Sequence, residues 1–275
     1  MTPLLRQMRA DDLRGVLDWA AAEGWHPGLD DAGAFFAADP DGFFLAEVQG
    51  ASVAAISVVN HSPEQAFLGL YICRPDWRGR GVGLALFSHA LAHAGGRCIG
   101  LDGVAAQEAN YARSGFLRAG STTRLEGRVA PGPATPEGVE VGEADLAALI
   151  ALDARATGYA RPDFLRAWLR PTATRRSLVT PARDAFCTIR RCGDGVKIGP
   201  VIAGDAATAL RLVRVALSLM PADRIWIDVP DTGSPFARQL AASGFAPVFT
   251  TARMYRGTAP VASAAVQAIA TMELG

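Results

Sequence analysis

Lysine is nearly missing from this sequence of 275 residues, since the combined Lys and Arg total of 27 includes one lysine, Lys197. A nucleotide-binding P-loop requires the pattern G-x-x-x-x-G-K-[ST], in which the lysine contacts the nucleotide phosphates. The residues before Lys197 read "CGDGV" and do not fit this pattern. The scarcity of lysine therefore excludes a P-loop, and a phosphate site would have to depend on arginines or backbone amides.

Cysteine is scarce as well, and its spacing has none of the patterns typical of a zinc site or a CxxC redox pair. The four cysteines are Cys73, Cys98, Cys187 and Cys192. His89 and His93 have the i,i+4 spacing of metal ligands on a helix, but no third ligand accompanies them. We therefore expect reduced thiols, a reducing compartment and no bound metal.

Long apolar runs are also lacking, because no window approaches the roughly 18 apolar residues that a membrane span requires. The opening residues, "MTPLLRQMRA", lack the cationic head and apolar stretch of a signal peptide. The formal net charge is zero, which argues against a nucleic-acid binder whose affinity comes from phosphate neutralisation. These absences predict a cytoplasmic protein that binds neither membranes nor nucleic acids.

Basic residues are missing from one long segment, residues 15–73, which contains no Lys or Arg. The segment carries acids at Asp18, Glu23, Asp30, Asp31, Asp39, Asp41, Glu47 and Glu64. Because the whole chain is neutral, the other residues must hold a net excess of basic side chains. The sequence thus predicts separate acidic and basic regions in the folded protein.

The hydrophobic pattern of the first 127 residues predicts a mixed α/β order. Strands are expected over 4–8, 65–73 and 97–102, a hairpin over 42–60, and a last hairpin region ending at 127. Helices are expected over 10–22, 31–38, 83–94 and 105–114.

The second part of the chain resembles a degenerate copy of the first. "YARSGF" (111–116) and "TTRLEG" (122–127) recur in the same order as "QLAASGF" (239–245) and "TTARMYRG" (250–257). "IGLD" (99–102) is likewise repeated as "IWID" (225–228). We therefore predict a first repeat over 1–127, a linker over 128–138, a second repeat over 139–258 and a tail over 259–275. The alanine-rich tail is expected to form a docking helix or to fray.

The stretch "RPDWRGRGVG", residues 74–83, combines three arginines and three glycines directly before the helix over 83–94. A helix N-terminus offers free backbone N–H groups, and glycines let a diphosphate approach them closely. The glycines at 79, 81 and 83 do not match the G-x-G-x-x-G of dinucleotide-binding folds. The stretch predicts a pyrophosphate site, with an exposed basic turn as the alternative. The second repeat has "GPVIAGDAAT" (199–208) there, without arginine and with Asp205 near the helix start.

At this point the chain resembles the GCN5-related N-acetyltransferase (GNAT) family, whose signature Q/R-x-x-G-x-G/A binds the pyrophosphate of acetyl-CoA. "LYICRPDWRGRGVGLALF" (70–87) and "NYARSGF" (110–116) carry the resemblance. "KIGPVIA", "DVPD" and "PVFTTARMYRG" extend it to two-lobed members whose second lobe lacks the signature. The resemblance implies an α/β (α+β) fold of two lobes, each a mixed, mainly antiparallel sheet flanked by helices.

The resemblance also implies roles for particular residues. Backbone groups of Ile72 and Cys73 would pair with the pantetheine, and Asn110 would lie on the cofactor side. The pyrophosphate would be held at Arg78, Gly79, Arg80, Gly81, Val82, Gly83 and Leu84. Tyr111 would protonate the departing thiolate as a general acid, with an ordinary core tyrosine as the alternative.

The general base is left open among Glu64, Glu47 and Asp102, each of which could also be a surface or capping acid. Candidates for the acceptor side are Trp25, His26, Asp30, Glu47 and Arg161. The predicted partner is a small-molecule amine, and a homodimer is an open possibility.

The resemblance and the acidic segment together predict an acetyl-CoA-dependent N-acetyltransferase acting by direct transfer. Because the acidic segment would border the acceptor, we expect a small cationic acceptor: an aminoglycoside-like antibiotic, which would make the enzyme a resistance factor, or a polyamine. The alternatives are a peptide, protein or amino-acid N-acetyltransferase, and a non-catalytic module that responds to acyl-CoA.

Overall fold

A computed structural model of the chain describes residues 2–129 and 138–275. Most of the predicted linker therefore lies outside the described residues. The strands are β1 (Leu4–Gln7), β2 (Phe43–Val48), β3 (Ala51–Asn60), β4 (Gln65–Cys73), β5 (Cys98–Val104), β6 (Leu117–Gly127), β7 (Val139–Glu140), β8 (Arg175–Val179), β9 (Phe186–Arg191), β10 (Val196–Ile202), β11 (Ile225–Val229), β12 (Ala246–Arg256) and β13 (Val266–Ala268). The α-helices are α1 (Ala10–Ala22), α2 (Asp31–Ala38), α3 (Val82–Leu91), α4 (Glu108–Arg113), α5 (Leu146–Thr157), α6 (Pro162–Trp168), α7 (Ala206–Leu219) and α8 (Pro235–Ala242).

The strands form one mixed, mainly antiparallel sheet in the order β1-β2-β3-β4-β5-β12-β6-β11-β10-β9-β8-β7, with β13 paired to β10. Helices α1, α2, α5 and α6, from both repeats, share one apolar core. The other helices pack into two further cores, α3 and α4 in one and α7 and α8 in the other. Flanking helices on a mixed sheet confirm the predicted fold class.

The last strand of each repeat is exchanged. β6 pairs antiparallel with β11 of the second repeat, and β12 lies between β5 and β6. The hairpin expected before residue 127 is therefore wrong, because β6 is one long strand whose two neighbours both come from the second repeat. Each repeat thus supplies a strand to the sheet of the other.

Two ion pairs, one buried and one partly buried, join the exchanged strands at equivalent places. Arg253 of β12 donates to both carboxylate oxygens of Asp102, over 3.0 and 2.6 Å. Arg124 of β6 donates in the same way to Asp228, over 2.8 and 3.0 Å. Losing one partner of such a pair strands a buried charge, which typically costs about 3–5 kcal/mol. The acids at the ends of "IGLD" and "IWID" therefore hold the two repeats together.

Each repeat contains a parallel strand pair that separates partway along its length. β4 and β5 pair up to Leu68 and Leu101, after which the strands diverge. β10 and β11 pair up to Ile198 and Ile227 and then diverge as well. A space opens between the strands in both repeats, and the two spaces are filled differently.

The tail, residues 259–275, fills the space in the second repeat. β13 pairs with β10 at Ala268 and Val266, and the amide of Ile269 donates to the carbonyl of Asp228. Residues 268–275 are buried, and the tail continues between the repeats to Gly69 of β4. The expectation of a docking helix or frayed tail is wrong, because the gap between β10 and β11 offers the tail backbone partners that a helix could not use.

Candidate functional site

An open cleft of about 600 Å³ lies where β4 and β5 diverge in the first repeat. We call it the outer cleft, and it is lined by Glu23, Trp25, Tyr71, Ile72, Cys73, Trp77, Arg78, Gly79, Gly81, Gly83, Leu84, Val104, Ala106 and Gln107. Seven of these were predicted to bind the cofactor: Ile72, Cys73, Arg78, Gly79, Gly81, Gly83 and Leu84. The structure brings them together around one space.

The N-terminus of α3 forms one end of the outer cleft. Gly81 precedes the helix with a left-handed φ of 77°, and Gly79 has a φ of 72°. No side chain of the described residues caps this helix, so the amides of its first turn have no partner within the helix. Uncapped amides, a positive helix end and open space around Gly81 fit a pyrophosphate.

The arginines of the same loop are exposed and held by neighbours. Arg78 donates to the carbonyl of Cys73 over 2.9 Å and to the Glu23 carboxylate over 2.6 Å. Arg80 stacks on Trp77 at 5.0 Å, whereas the Val82 side chain is buried in the core. The two guanidinium groups therefore flank the helix end, while Val82 can contribute only its backbone.

The equivalent helix end in the second repeat is closed. The Asp205 carboxylate accepts the Thr208 amide over 2.8 Å and caps α7. β13 occupies the space between β10 and β11, and the Ala203 amide donates to the carbonyl of Ala265 over 3.0 Å. The chain itself thus uses the backbone groups that remain open in the first repeat.

A deeper pocket adjoins the outer cleft. We call it the inner pocket, and it is lined by Trp25, Leu68, Gly69, Leu70, Tyr71, Leu101, Asp102, Val104, Gln107, Tyr111, Arg124, Phe249, Thr251, Met272 and Glu273. Four residues line both spaces: Trp25, Tyr71, Val104 and Gln107. A ligand held in the outer cleft can therefore reach the inner pocket directly.

Tyr111 is a buried residue at the wall of the inner pocket. Its ring packs against Phe87 and Phe116, with centroids 6.2 and 6.1 Å away, and Gly103 leaves room for it. Burial raises the pKa of Tyr111 well above its usual value, and the neighbouring Tyr71 raises it further. The phenol is therefore protonated at neutral pH and can donate a proton or a hydrogen bond.

Tyr71 is a second phenol beside the first, and sequence reasoning did not single it out. Burial raises its pKa to about 12. Asn110, predicted on the cofactor side, lies on the exposed face of α4 and donates to Gln107 over 2.5 Å. It borders a smaller cavity together with Tyr71 and Tyr111.

The three candidate bases lie apart from one another. Asp102 borders the inner pocket, but its carboxylate accepts from Arg253 and from the hydroxyl of Thr251. Glu47 is bound by Arg6 over 3.0 and 2.5 Å, and Glu64 lies exposed in a turn. The structure therefore brings neither glutamate to the pocket.

Of the predicted acceptor residues, the structure brings Trp25 to the inner pocket. His26 stacks on Trp226 at 4.0 Å, and Asp30 accepts from the Thr174 hydroxyl over 2.6 Å. Arg161 is buried, donates to Asp153 and lines a separate cavity in the second repeat. In the described ranges, 2–129 and 138–275, no three His, Cys, Asp or Glu side chains are grouped as a metal site.

The tail is fixed beside the inner pocket by a buried histidine. His61 Nε2 lies 2.8 Å from the carbonyl of Leu274, to which the neutral ring donates. Burial, and after it the nearby Arg161, lower the pKa of His61 to about 4. The contact therefore belongs to the uncharged form of the ring.

We expect acid to weaken the fold through His61. As the pH falls from about 6.5 towards 4, His61 is protonated in the unfolded chain but stays neutral in the folded chain. The free energy of unfolding therefore decreases. The loss attributable to this residue is about 2 kcal/mol between about pH 7 and about pH 5. In urea titrations at both pH values, His61→Gln should lack this part of the decrease, whereas His89→Gln, at an exposed position, should keep it. Equal pH dependence of both variants would contradict the assignment.

No helix of the described residues combines the length and apolarity needed to cross a membrane.

Comparisons with known proteins give a consistent result. A family model described as "Acetyltransferase (GNAT) family" matches residues 7–120, and one described as "Acetyltransferase (GNAT) domain" matches 149–268. Holothin acyltransferase of Pseudoalteromonas sp. (strain SANK 73390) is 38% identical over 266 residues, which cover 94% of this chain and 90% of that protein.

Solved structures share the fold. A Pyrococcus horikoshii protein described as an acetyltransferase superposes with a TM-score of 0.82 at 22% identity, over 100% of this chain and 96% of its own. A tandem GNAT protein from the clavulanic acid biosynthesis pathway has a TM-score of 0.60 at 18% identity, over 92% and 98%. At these identities the likeness concerns the architecture of two joined repeats.

Proposed function

Because the chain belongs to the GCN5-related N-acetyltransferase (GNAT) family and is an acyltransferase, we propose that it acetylates an amine of a small, largely apolar molecule, with acetyl-CoA as donor. The observation that carries the proposal is the continuity between the outer cleft and the inner pocket. Acyl-CoA would lie with its pyrophosphate at the α3 N-terminus and its pantetheine along β4. The thioester would then meet the acceptor near Tyr111.

The chemistry of the inner pocket favours an acceptor with an apolar body. Its walls include Trp25 and Phe249 as well as the aliphatic side chains of Leu68, Leu70 and Met272. The pocket is closed by the tail and by β12, so a compact molecule fits better than a protein segment. Of the charged groups at the pocket, Asp102 and Arg124 are already paired, which suits recognition of a single amine on an apolar frame.

The acidic segment, residues 15–73, gives no support to a polycationic acceptor. Among the described residues that line the inner pocket, none belongs to the acidic set of residues 15–73. Glu23 borders the outer cleft instead, where it pairs with Arg78. The acids that motivated an aminoglycoside or polyamine therefore lie away from the acceptor space.

A screen of amines tests the proposal. Purified protein is incubated with acetyl-CoA and each amine, and released thiol is measured. The set contains holothin, other heterocyclic or aromatic amines, alkyl monoamines that are protonated at neutral pH, a polyamine and an aminoglycoside. We expect apolar molecules with a single amine to be the best acceptors, with a KM that changes little with ionic strength.

Two results would contradict the proposal in different ways. A polyamine or aminoglycoside as the best acceptor, with a KM that rises steeply with salt, would restore the cationic acceptor. Tight acetyl-CoA binding without thiol release for any amine would favour a non-catalytic module.

A further inference from the structure

We propose that Glu273, in the tail, is the catalytic base that deprotonates the acceptor amine; this rests on the proposed function. Glu273 borders the inner pocket together with Tyr111. The tail therefore supplies the acid that the first repeat does not offer at its own site.

Glu273 is a buried residue whose carboxylate has no polar partner among the described residues. The residue is 3% exposed, and among the described residues no hydrogen bond or ion pair to its carboxylate is found. Neither carboxylate oxygen is among the fully buried polar atoms that lack a hydrogen-bond partner, so both keep some accessible surface where a ligand can reach them. An acceptor ammonium in the inner pocket would supply that partner.

The charges around Glu273 leave it available. Arg124 is close enough for the glutamate charge to raise its pKa. The Arg124 guanidinium already donates hydrogen bonds to Asp228 and to the carbonyl of Trp25, over 2.8 Å in each case. The other titratable groups at the pocket are the two tyrosines and Asp102, which Arg253 neutralises. Arg124 therefore lies near the glutamate without forming an ion pair with it.

The backbone on both sides of Glu273 is fixed. Its amide donates to the hydroxyl of Thr271 over 3.2 Å, and its carbonyl abuts Gly69, where a Cβ would collide with it. The next carbonyl, of Leu274, accepts from His61. A base must be held in one position to act on a bound amine, and these contacts hold it.

The proton balance of the reaction is complete with two residues. Glu273 takes one proton from the acceptor ammonium, and the neutral nitrogen adds to the thioester carbonyl as its π pair moves to oxygen. The C–S bond breaks as the carbonyl re-forms, and Tyr111 gives its proton to the departing thiolate. The second proton of the nitrogen restores Tyr111, and Glu273 releases its proton to water, so the products are amide, free thiol and one proton.

Glu273→Gln tests the assignment on the best alkyl or heterocyclic amine of the screen that is protonated at neutral pH. We expect kcat to decrease about 100-fold, the usual scale of a general base, with unchanged acetyl-CoA affinity and thermal unfolding. Raising the pH until the acceptor amine itself is neutral should restore most of the rate. Glu143→Gln is the matched control, because Glu143 is exposed and does not line the inner pocket. This variant should behave as the unmodified protein.

A second variant separates catalysis from folding. Glu273→Ala leaves space for an added carboxylate, and formate should recover part of its rate. A kcat of Glu273→Gln within about tenfold of the unmodified protein, or a loss that is equal at every pH and insensitive to formate in the alanine variant, would overturn the proposal. If the unmodified protein releases thiol with no amine, the proposed function fails instead.

Discussion

Gly81→Asp is expected to weaken acyl-CoA binding about a thousandfold. The aspartate would cap the open N-terminus of α3, as Asp205 caps α7 in the second repeat. It would also place a negative charge beside the pyrophosphate. Two unit charges about 4 Å apart repel by about 4 kcal/mol near a protein surface, which corresponds to about 10³ in affinity. Isothermal titration calorimetry with acetyl-CoA measures both the affinity and the stoichiometry.

Two control variants separate charge from backbone strain. Gly81→Asn has nearly the same shape as the aspartate, tolerates the left-handed conformation and carries no charge, so it should bind far better. Gly204→Asp adds a carboxylate in the second repeat and should change nothing, because β13 already fills that space. The unmodified protein should bind one acetyl-CoA per chain. A stoichiometry near two, or equal losses for Asn and Asp at position 81, would contradict this account.

The elements of the first repeat could be predicted because their signals are local. The helix expected over 10–22 forms as Ala10–Ala22, where Leu13, Val16 and Leu17 lie on one buried face. Asp12 accepts the Arg9 amide over 2.8 Å and starts the helix. The residues at the α3 end of the outer cleft could be predicted for the same reason, because the glycines and the start of the helix are adjacent in sequence.

The exchange of strands β6 and β12 could not be predicted from the sequence repeats, although the repeats indicated the duplication. "TTRLEG" and "TTARMYRG" have nearly the same pattern, so β6 and β12 suit either neighbouring strand. The arginine in each strand faces the acid that ends "IWID" or "IGLD". Asp102 resembles a candidate base in the sequence because its partner, Arg253, is 151 positions away.

The inner pocket was missed for the same physical reason. Phe249 comes from β12, and Met272 and Glu273 come from the tail, so no local pattern joins them to Tyr111. The alanine-rich composition of the tail favours a helix when it is considered alone. The backbone groups exposed between β10 and β11 outweigh that preference once the second repeat has formed.

Tyr111→Phe is expected to lower kcat by about 10² to 10⁴, the range of general acid–base groups, while acetyl-CoA affinity stays the same. The phenylalanine keeps the ring contacts with Phe87 and Phe116 and removes only the hydroxyl. Negative charge develops on sulfur as the C–S bond breaks, so the phenol acts mainly in the transition state. Because burial raises its pKa, Tyr111 enters each cycle protonated across the neutral range.

Tyr71→Phe is the matched control, because Tyr71 lies beside Tyr111 and borders both spaces. Its hydroxyl lies 2.9 Å from where a Cβ on Gly83 would be, so it faces the start of α3. We therefore expect this variant to alter the KM for acetyl-CoA more than kcat. The measurement is single-turnover thiol release at saturating substrates, where chemistry limits the rate. If Tyr111→Phe stays within about threefold of the unmodified protein while Tyr71→Phe loses the rate, the proton donor is Tyr71, and Tyr111 serves only to pack the core.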